Sequence, residues 1–534
     1  MGLIKRNIHM DGCRHENKTI SLDQDYNIPD MKPDAKMIIR EQGDIVNLEC
    51  RSMGEKFGIK GEMSFQILYT AEENGQLACL RGSIPFEETL AVKMGERDED
   101  YEVQVRVEKL NVRLINSRKT NITAILGIDL VDQKVCDNMI CVGVEPEEGL
   151  QIKTREVEVS ALEAARKDTY RVREQWRLPG TRDSIGEILY WDIRLAELDY
   201  RSLEDEIQLN GQAKVFVVYA SEGEDPVPNI YENTLVIEGK LPCSGAKPEM
   251  ASRITSAIVS KDIGVEQDED GENRMLEAEL VLGFNLRIYS KERMNLVTDL
   301  YSTAMECKPV VEHAGFKTLV TDNKCLERVQ GEIGIPGKKP LQIWDVCGTL
   351  RIDNKELKEG NLEVQGVIPV KIVYRRDDSS MPVNMAEGVI PFRYTIEGGE
   401  LKEGCLMNLQ GRIEQISASL AGDEKVLVKA VVGLELIAFW PSTEPMVVDY
   451  ECVPRDSESM NSQPGMVGYV MQPGDTLWDV AKEYHTTVDQ VLEINKMNEE
   501  EVVSGDMLLV VPREKRTTPG KETCLFPDAA LKPV

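Results

Sequence analysis

The chain has 534 residues, enough for about three or four domains of roughly 150 residues each, so a single small module is excluded. Sixty-three Lys and Arg stand against 93 Asp and Glu, and the formal charge of −30 repels phosphate backbones and anionic lipid surfaces. Nucleic acid and membrane partners are therefore not expected, and 41% hydrophobic residues describe a globular chain, not a solvated acidic one.

At the N-terminus, MGLIKRNIHMDGCRHENK contains an apolar run of only Leu3 and Ile4, too short for a signal-peptide core. No later run is long enough to span a bilayer. The 12 Cys are scattered singly from Cys13 to Cys524 without a C-x-x-C pair, the usage of a reducing compartment. A cytoplasmic protein with unpaired, inert core thiols is expected.

An internal repeat organises the next 450 residues. Its start is an [Ile/Leu]-Pro-[Asp/Gly]-x-[Lys/Arg] marker at Ile28-Pro29, Leu178-Pro179 and Ile335-Pro336. A Gly follows 32, 32 and 30 residues after each Pro, and a Tyr stands 8 residues beyond it: Gly61 and Tyr69, Gly211 and Tyr219, Gly366 and Tyr374. Each copy closes on Gly-apolar-[Asp/Asn/Glu]-Leu, at Gly127 to Leu130, Gly283 to Leu286 and Gly433 to Leu436. Runs such as SFQILYT, KVFVVYA and VKIVYRR are β-branched and aromatic, and Val103, Val105 and Val107 alternate with polar residues. Strands every ten or so residues, separated by turns such as Glu73-Asn74-Gly75, predict a β-sandwich or barrel per copy. The tyrosines sit at strand ends and read as packing residues. Ile20 and Leu22, and Tyr170 and Val172, read as parts of the unit that follows them.

After the third copy, PRDSESMNSQPGM (454–466) has the composition of a flexible linker. The next segment changes period. Thr476-Leu477-Trp478-Asp479 opens a capping box, and Leu477, Val480, Ala481 and Tyr484 form one helical stripe. Thr487 to Gln490 repeats the device, with Val488, Val491 and Leu492 inward. Tyr469-Val470-Met471 before and Met507 to Val511 after complete the order strand, helix, helix, strand.

Residues 467–513, with Gln472-Pro473-Gly474-Asp475-Thr476-Leu477-Trp478, Ile494-Asn495 and Ser504-Gly505-Asp506, resemble a LysM module. The resemblance implies a βααβ fold and a groove for N-acetylglucosamine glycans between two loops. The groove residues it implies are Gly474, Asp475, Thr476, Leu477, Trp478, Asn495, Lys496, Met497, Asn498, Val502 and Val503. His485 stands where the family usually places Gly, and Glu499-Glu500-Glu501 occupies the second loop. The segment's net charge of −6 suits a basic protein face better than wall anions. The triplicated unit, complete in its entry at Ile28 to Pro33, resembles the SPOCS domain of spore coat proteins. Together the two resemble the spore coat morphogenetic scaffold of the SipL type. That resemblance implies a mother-cell cytoplasmic scaffold recruited to the forespore surface, where its LysM domain engages the coat-basement morphogenetic ATPase alongside other coat proteins. A peptidoglycan-binding wall protein is the alternative, and self-association is open.

The expected fold class is mostly β, with three tandem sandwich or barrel-like SPOCS repeats followed by a small α+β LysM domain. The expected boundaries are 9–158, 159–316 and 317–453 for the β domains, 454–466 for the linker, 467–513 for LysM and 514–534 for a flexible tail. No cofactor or metal is expected, and no H-E-x-x-H, G-x-S-x-G or Walker A pattern occurs. Cys307 with His313 would have to be assembled by folding to act as a catalytic pair. Glu266-x-Asp268-x-Asp270-Gly271-x5-Glu277 approaches calcium-loop spacing, but a solvated hairpin tip explains it better. Trp478, off the helical stripe, reads equally as a stacking platform or a packing residue.

Overall fold

Alternating β-branched and aromatic residues commit the chain as far as Pro454 to antiparallel strands, with long strands that pass from one sheet into another structure. The computed structural model describes residues 2–12, 15–91, 101–223, 226–335, 340–377, 382–422, 424–455, 465–498 and 502–512. Most of the expected linker, the Glu499 to Glu501 run and the expected tail lie outside the described residues.

The first unit stacks two three-stranded sheets. One is β2 (His15–Asn27), β7 (Lys119–Asp132) and β6 (Tyr101–Asn116); the other is β3 (Ala35–Ser52), β4 (Lys56–Ala71) and β5 (Leu77–Ala91). Ile59, Phe65, Ile122 and Leu126 lie in the core between them, with Ile20 and Leu22 packed against it. The second unit repeats the order with β9 (Leu150–Arg177), β14 (Asn273–Ser302) and β13 (Ala251–Gln267) against β10 (Ile185–Leu203), β11 (Glu206–Ser221) and β12 (Pro228–Pro242). The third does so with β15 (Met305–Gly334), β21 (Lys425–Pro454) and β20 (Leu406–Leu420). Its second sheet is β18 (Asn361–Arg376) and β19 (Val383–Ile396), with β16 (Pro340–Gly348) and β17 (Arg351–Lys358) sharing one edge. The chain is thus mostly β, with three tandem sandwiches.

The repeat anchors have physical causes. A β-bulge in β6, β13 and β20 leaves Glu108, Val259 and Glu414 unpaired in the ladder, each lying over the closing Gly of its unit. A Cβ on Gly283 would stand 2.8 Å from Val259 Cγ2, and one on Gly433 would stand 2.5 Å from Glu414 Oε1. Tyr69, Tyr219 and Tyr374 are fully buried, and Tyr69 donates to the Pro33 carbonyl at 3.0 Å, tying strand to marker. The polar residue of the closing anchor faces a neighbouring unit. Asn285 donates to Glu102 of the first unit at 2.6 Å. Glu435 accepts from Arg412, which also donates to the Leu198 carbonyl of the second unit.

Beyond their sheets, β9 with β14 and β15 with β21 run on as two-stranded ribbons, 150–162 against 289–302 and 305–319 against 439–454. The expected boundaries at 158/159 and 316/317 fall inside these continuous strands, because periodicity does not mark where a strand leaves its sheet. In the first unit the ribbon is separate, β1 (Leu3–Asp11) against β8 (Val135–Val144). The three ribbons share one apolar core, including Ile8, Ile140, Val159, Leu296, Phe316 and Val447. At the other end the second sheets meet through equivalent positions, Ile39 with Leu189 and Trp344, and Leu68 with Val218 and Val373. The units therefore close around a common axis. Next to this apolar layer the equivalent residues are Arg40, Tyr190 and Asp345. Arg40 donates to Tyr190 Oη at 3.2 Å and pairs with Asp345 at 3.2 Å, while Arg194 pairs with Asp345 at 2.6 Å. Burial works to raise the Asp345 carboxyl, but Arg194 and Arg40 outweigh it and hold the group below the usual range.

One expectation about cysteine is corrected. Cys307 and Cys452, 145 residues apart, lie directly opposite in the β15–β21 register and form a disulfide. The long separation hides the pairing in the sequence. It also removes Cys307 as a partner for His313. Burial pushes the thiols of Cys79, Cys141, Cys243 and Cys325 up, which suits packing and not nucleophilic chemistry.

Candidate functional site

Residues 465–512 form the second structural class in the chain. Strand β22 (Val467–Val470) pairs antiparallel with β23 (Met507–Val510), and helices α1 (Leu477–Glu483) and α2 (Val488–Asn495) lie between them in sequence. Met471, Leu477, Val480, Val491, Leu508 and Val510 make the core, with Tyr469 and Tyr484 packed on it. The expected capping box is present at α1: Asp479 N–H donates to Thr476 Oγ1 at 3.3 Å, and Thr476 N–H to Asp479 Oδ2 at 3.2 Å. At α2 only half of it forms. Thr487 accepts from Gln490 N–H, but the Gln490 side chain takes the Thr486 hydroxyl instead of the cap backbone.

The two loops that the resemblance assigns to a groove are joined at their base, where Met471 N–H donates to the Asp506 carbonyl at 2.9 Å and Gly505 N–H to that of Met471 at 2.7 Å. Several implied groove residues hold the module together. Asp475 accepts from Tyr469 Oη at 2.6 Å and Gln472 N–H at 2.9 Å, which keeps its carboxyl low and pushes the Tyr469 phenol up to about 12. Asn495 sutures α2 to β23, donating to the Leu509 carbonyl and accepting from Leu509 N–H, both at 2.8 Å. Leu477 is buried, and Met497 and Val502 pack on the core. Gly474, Thr476, Lys496, Asn498 and Val503 are exposed along the loops.

Trp478 faces elsewhere. With Lys482 one turn on it forms a second face of α1, extended by His485 just past the helix end, and that surface sits on the end of the second unit's ribbon. The indole N–H donates to Asp299 Oδ2 at 2.8 Å, and Lys482 Nζ reaches both oxygens of the same carboxylate at 2.7 and 2.8 Å. The Trp478 ring meets Tyr301 edge-on with centroids 4.8 Å apart, and Tyr301 Oη donates to the Thr486 carbonyl at 2.8 Å. Burial, with Asp299 and Asp489 nearby, pushes the Tyr301 phenol up to about 12. His485 Nδ1 lies 3.2 Å from the Ser302 carbonyl.

His485 adopts φ of +52°, the left-handed conformation that Gly takes without strain. A side chain there costs about 1–2 kcal/mol, and here it makes the contact with the ribbon. The module is therefore seated on the body, not merely tethered by 454–466 as the linker composition suggested. The second stripe of α1 and the Asp299-x-Tyr301 alternation on β14 carry the signal for this dock, but their complementarity shows only once the chain is folded.

Elsewhere, a cavity of about 1500 Å³ lies between the units, lined in part by Arg40, Asp44, Asp192, Arg194 and Lys261. Its acids and bases pair with each other, as Lys261 does with Asp44 at 2.9 Å and Asp192 at 3.0 Å. In the 266–277 hairpin, Asp268 accepts from Arg177 at 2.8 Å and Glu277 from Gln175 at 2.6 Å. Among the described residues no group of three or more His, Cys, Asp or Glu is placed to hold a metal, and no helix is long and apolar enough to cross a membrane.

Three tandem β-sandwiches followed by a small βααβ module define a multidomain architecture. The SipL, SPOCS domain model matches residues 34–115 and 340–421, in the first and third units, and the LysM domain model matches residues 469–511. The chain thus has the SipL-type architecture of SPOCS domain segments followed by a C-terminal LysM domain. Both families are non-catalytic binding domains, and LysM points to glycans such as peptidoglycan or N-acetylglucosamine polymers. No curated protein matches the chain.

Proposed function

We propose that this protein is a non-enzymatic spore coat assembly scaffold, resident in the mother-cell cytoplasm and recruited to the forespore surface. Its LysM domain engages the coat-basement morphogenetic ATPase, and its three β domains present surfaces to other coat proteins. The observation that carries this reading is the seat of the LysM module on the ribbon of the second unit. A rigid body holding one recognition module in a set orientation suits assembly better than a freely swinging glycan tether. The partner-binding residues are drawn from the exposed loops, Gly474, Thr476, Lys496, Asn498 and Val503. The acidic module favours a basic protein face.

The second reading is a glycan-binding protein, favoured by the same exposed loops. Immobilised peptidoglycan and immobilised coat-basement ATPase, offered in parallel to the full chain, separate the two. Capture by the ATPase that survives added N-acetylglucosamine oligomers supports the scaffold. Retention by peptidoglycan that the oligomers abolish, with no ATPase capture, overturns it.

A further inference from the structure

Among the described residues, nothing covers the outer face of the LysM sheet. Val470 lies directly opposite Met507, and Gly468 opposite Leu509, so the four share one face. Val470 is 52% exposed, Met507 71% and Leu509 41%, while Tyr469, Leu508 and Val510 on the other face pack on the module's core. The absent side chain at Gly468 lets the strip continue without a break: a Cβ there would lie 3.9 Å from Met507 Sδ. A contiguous apolar strip of this kind on a charged module marks a covered surface. The dock to the second unit does not use it.

We propose that the occupant is the chain's own C-terminal segment, with Leu525 and Phe526 laid across Val470, Met507 and Leu509. Three observations carry the assignment. The segment 513–534 holds Leu525, Phe526 and Leu531, enough apolar surface to cover the strip. Its charge is +2, from five Lys or Arg and three Asp or Glu, whereas 467–512 carries two Lys against nine acids. Its reach fits. Twelve residues separate Pro512 from Leu525, and a chain of that length bridges about 20 Å on average. Met507 lies five residues before Pro512, about 17 Å back along an extended strand. A linker whose length matches the span gives an effective concentration on the order of millimolar, which favours this segment over a second copy at ordinary protein concentrations. The assignment stands whichever ligand the groove takes.

Oxidation of Met507 by dilute hydrogen peroxide, followed by peptide mass spectrometry, tests it. Met31, 96% exposed on the first unit, is the internal reference. In the full chain Met507 is expected to oxidise at least about fivefold more slowly relative to Met31 than in a chain ending at Pro512. Phe526→Asp in the full chain should match the truncation. Equal rates in full and truncated chains overturn the proposal. So does protection that persists after truncation, or that fades on about a hundredfold dilution, as a second copy would give.

Discussion

Around the axis, Asp345 is wholly buried between Arg40 and Arg194, whereas at the LysM dock Asp299 keeps 22% of its side-chain surface beneath Trp478 and Lys482. Asp345 answers two guanidinium groups, whereas Asp299 answers one ammonium group and a neutral indole N–H. Their surroundings set different consequences. At the axis the Asp345 carboxylate is itself out of contact with water and is held by ions of two different units, so the three units hold one arrangement. At the dock water reaches the carboxylate, so the module is held by contacts that can exchange. The body is built as a permanent assembly and the module as a seated, releasable one.

The largest expected effect comes from the axis. Asp345→Asn leaves the buried Arg40 and the partly exposed Arg194 without their shared anion and should destabilise the three-unit body by about 3–5 kcal/mol, read from the urea midpoint. A loss under about 1 kcal/mol would mean that the axis is wet and that the contrast with the dock is false. Next is the dock itself. Asp299→Ala removes the acceptor of both the indole and Lys482, and should weaken seating by about 1–2 kcal/mol while the body's urea midpoint stays put. The readout is an increased radius of gyration by small-angle scattering and faster proteolysis between Pro454 and Val467. Trp478→Ala should release the module equally. Comparing the two sharpens the assignment: if Trp478 also touches the partner, only Trp478→Ala lowers partner capture.

The sequence disclosed what repeats and concealed what closes. The Gly and Tyr anchors were legible because each answers a requirement inside its own unit: a bulge residue lying over Gly283 or Gly433, a phenol tied to Pro33. The two helix starts were legible because Thr476 and Thr487 act on residues three positions away. The axis was not, since Arg40, Tyr190 and Asp345 differ chemically at one repeat position and become complementary only when the units meet. For the same reason the Asn285 position of the closing anchor looked local, although its amide serves the first unit. The disulfide joins strands 145 residues apart. Of the implied groove, Asp475 and Asn495 turned out to tie the module's own backbone. Motif spacing does not distinguish a residue that shapes a loop from one that faces a ligand.

The smallest expected effect is a pH dependence confined to the dock. Burial against the ribbon lowers the His485 pKa from its usual 6.5; the Ser302 carbonyl and Glu306 oppose that shift, and Arg455 adds to it. The seated state therefore favours neutral imidazole, while in the released module the ring is solvated and takes up a proton more readily. A group whose pKa is lowered on seating supports the seated state above its free pKa and loses that support as the pH falls through it. Seating should thus weaken as the pH drops below about 6.5, by less than Asp299→Ala weakens it, because His485 is only half-buried. Small-angle scattering across that range, on the wild type and on His485→Gln, isolates the contribution. The variant should show a flat profile. A wild-type module that stays seated throughout, or a variant with an unchanged slope, would assign the dock to Asp299 and Tyr301 alone and leave the strained conformation of His485 without a role in seating.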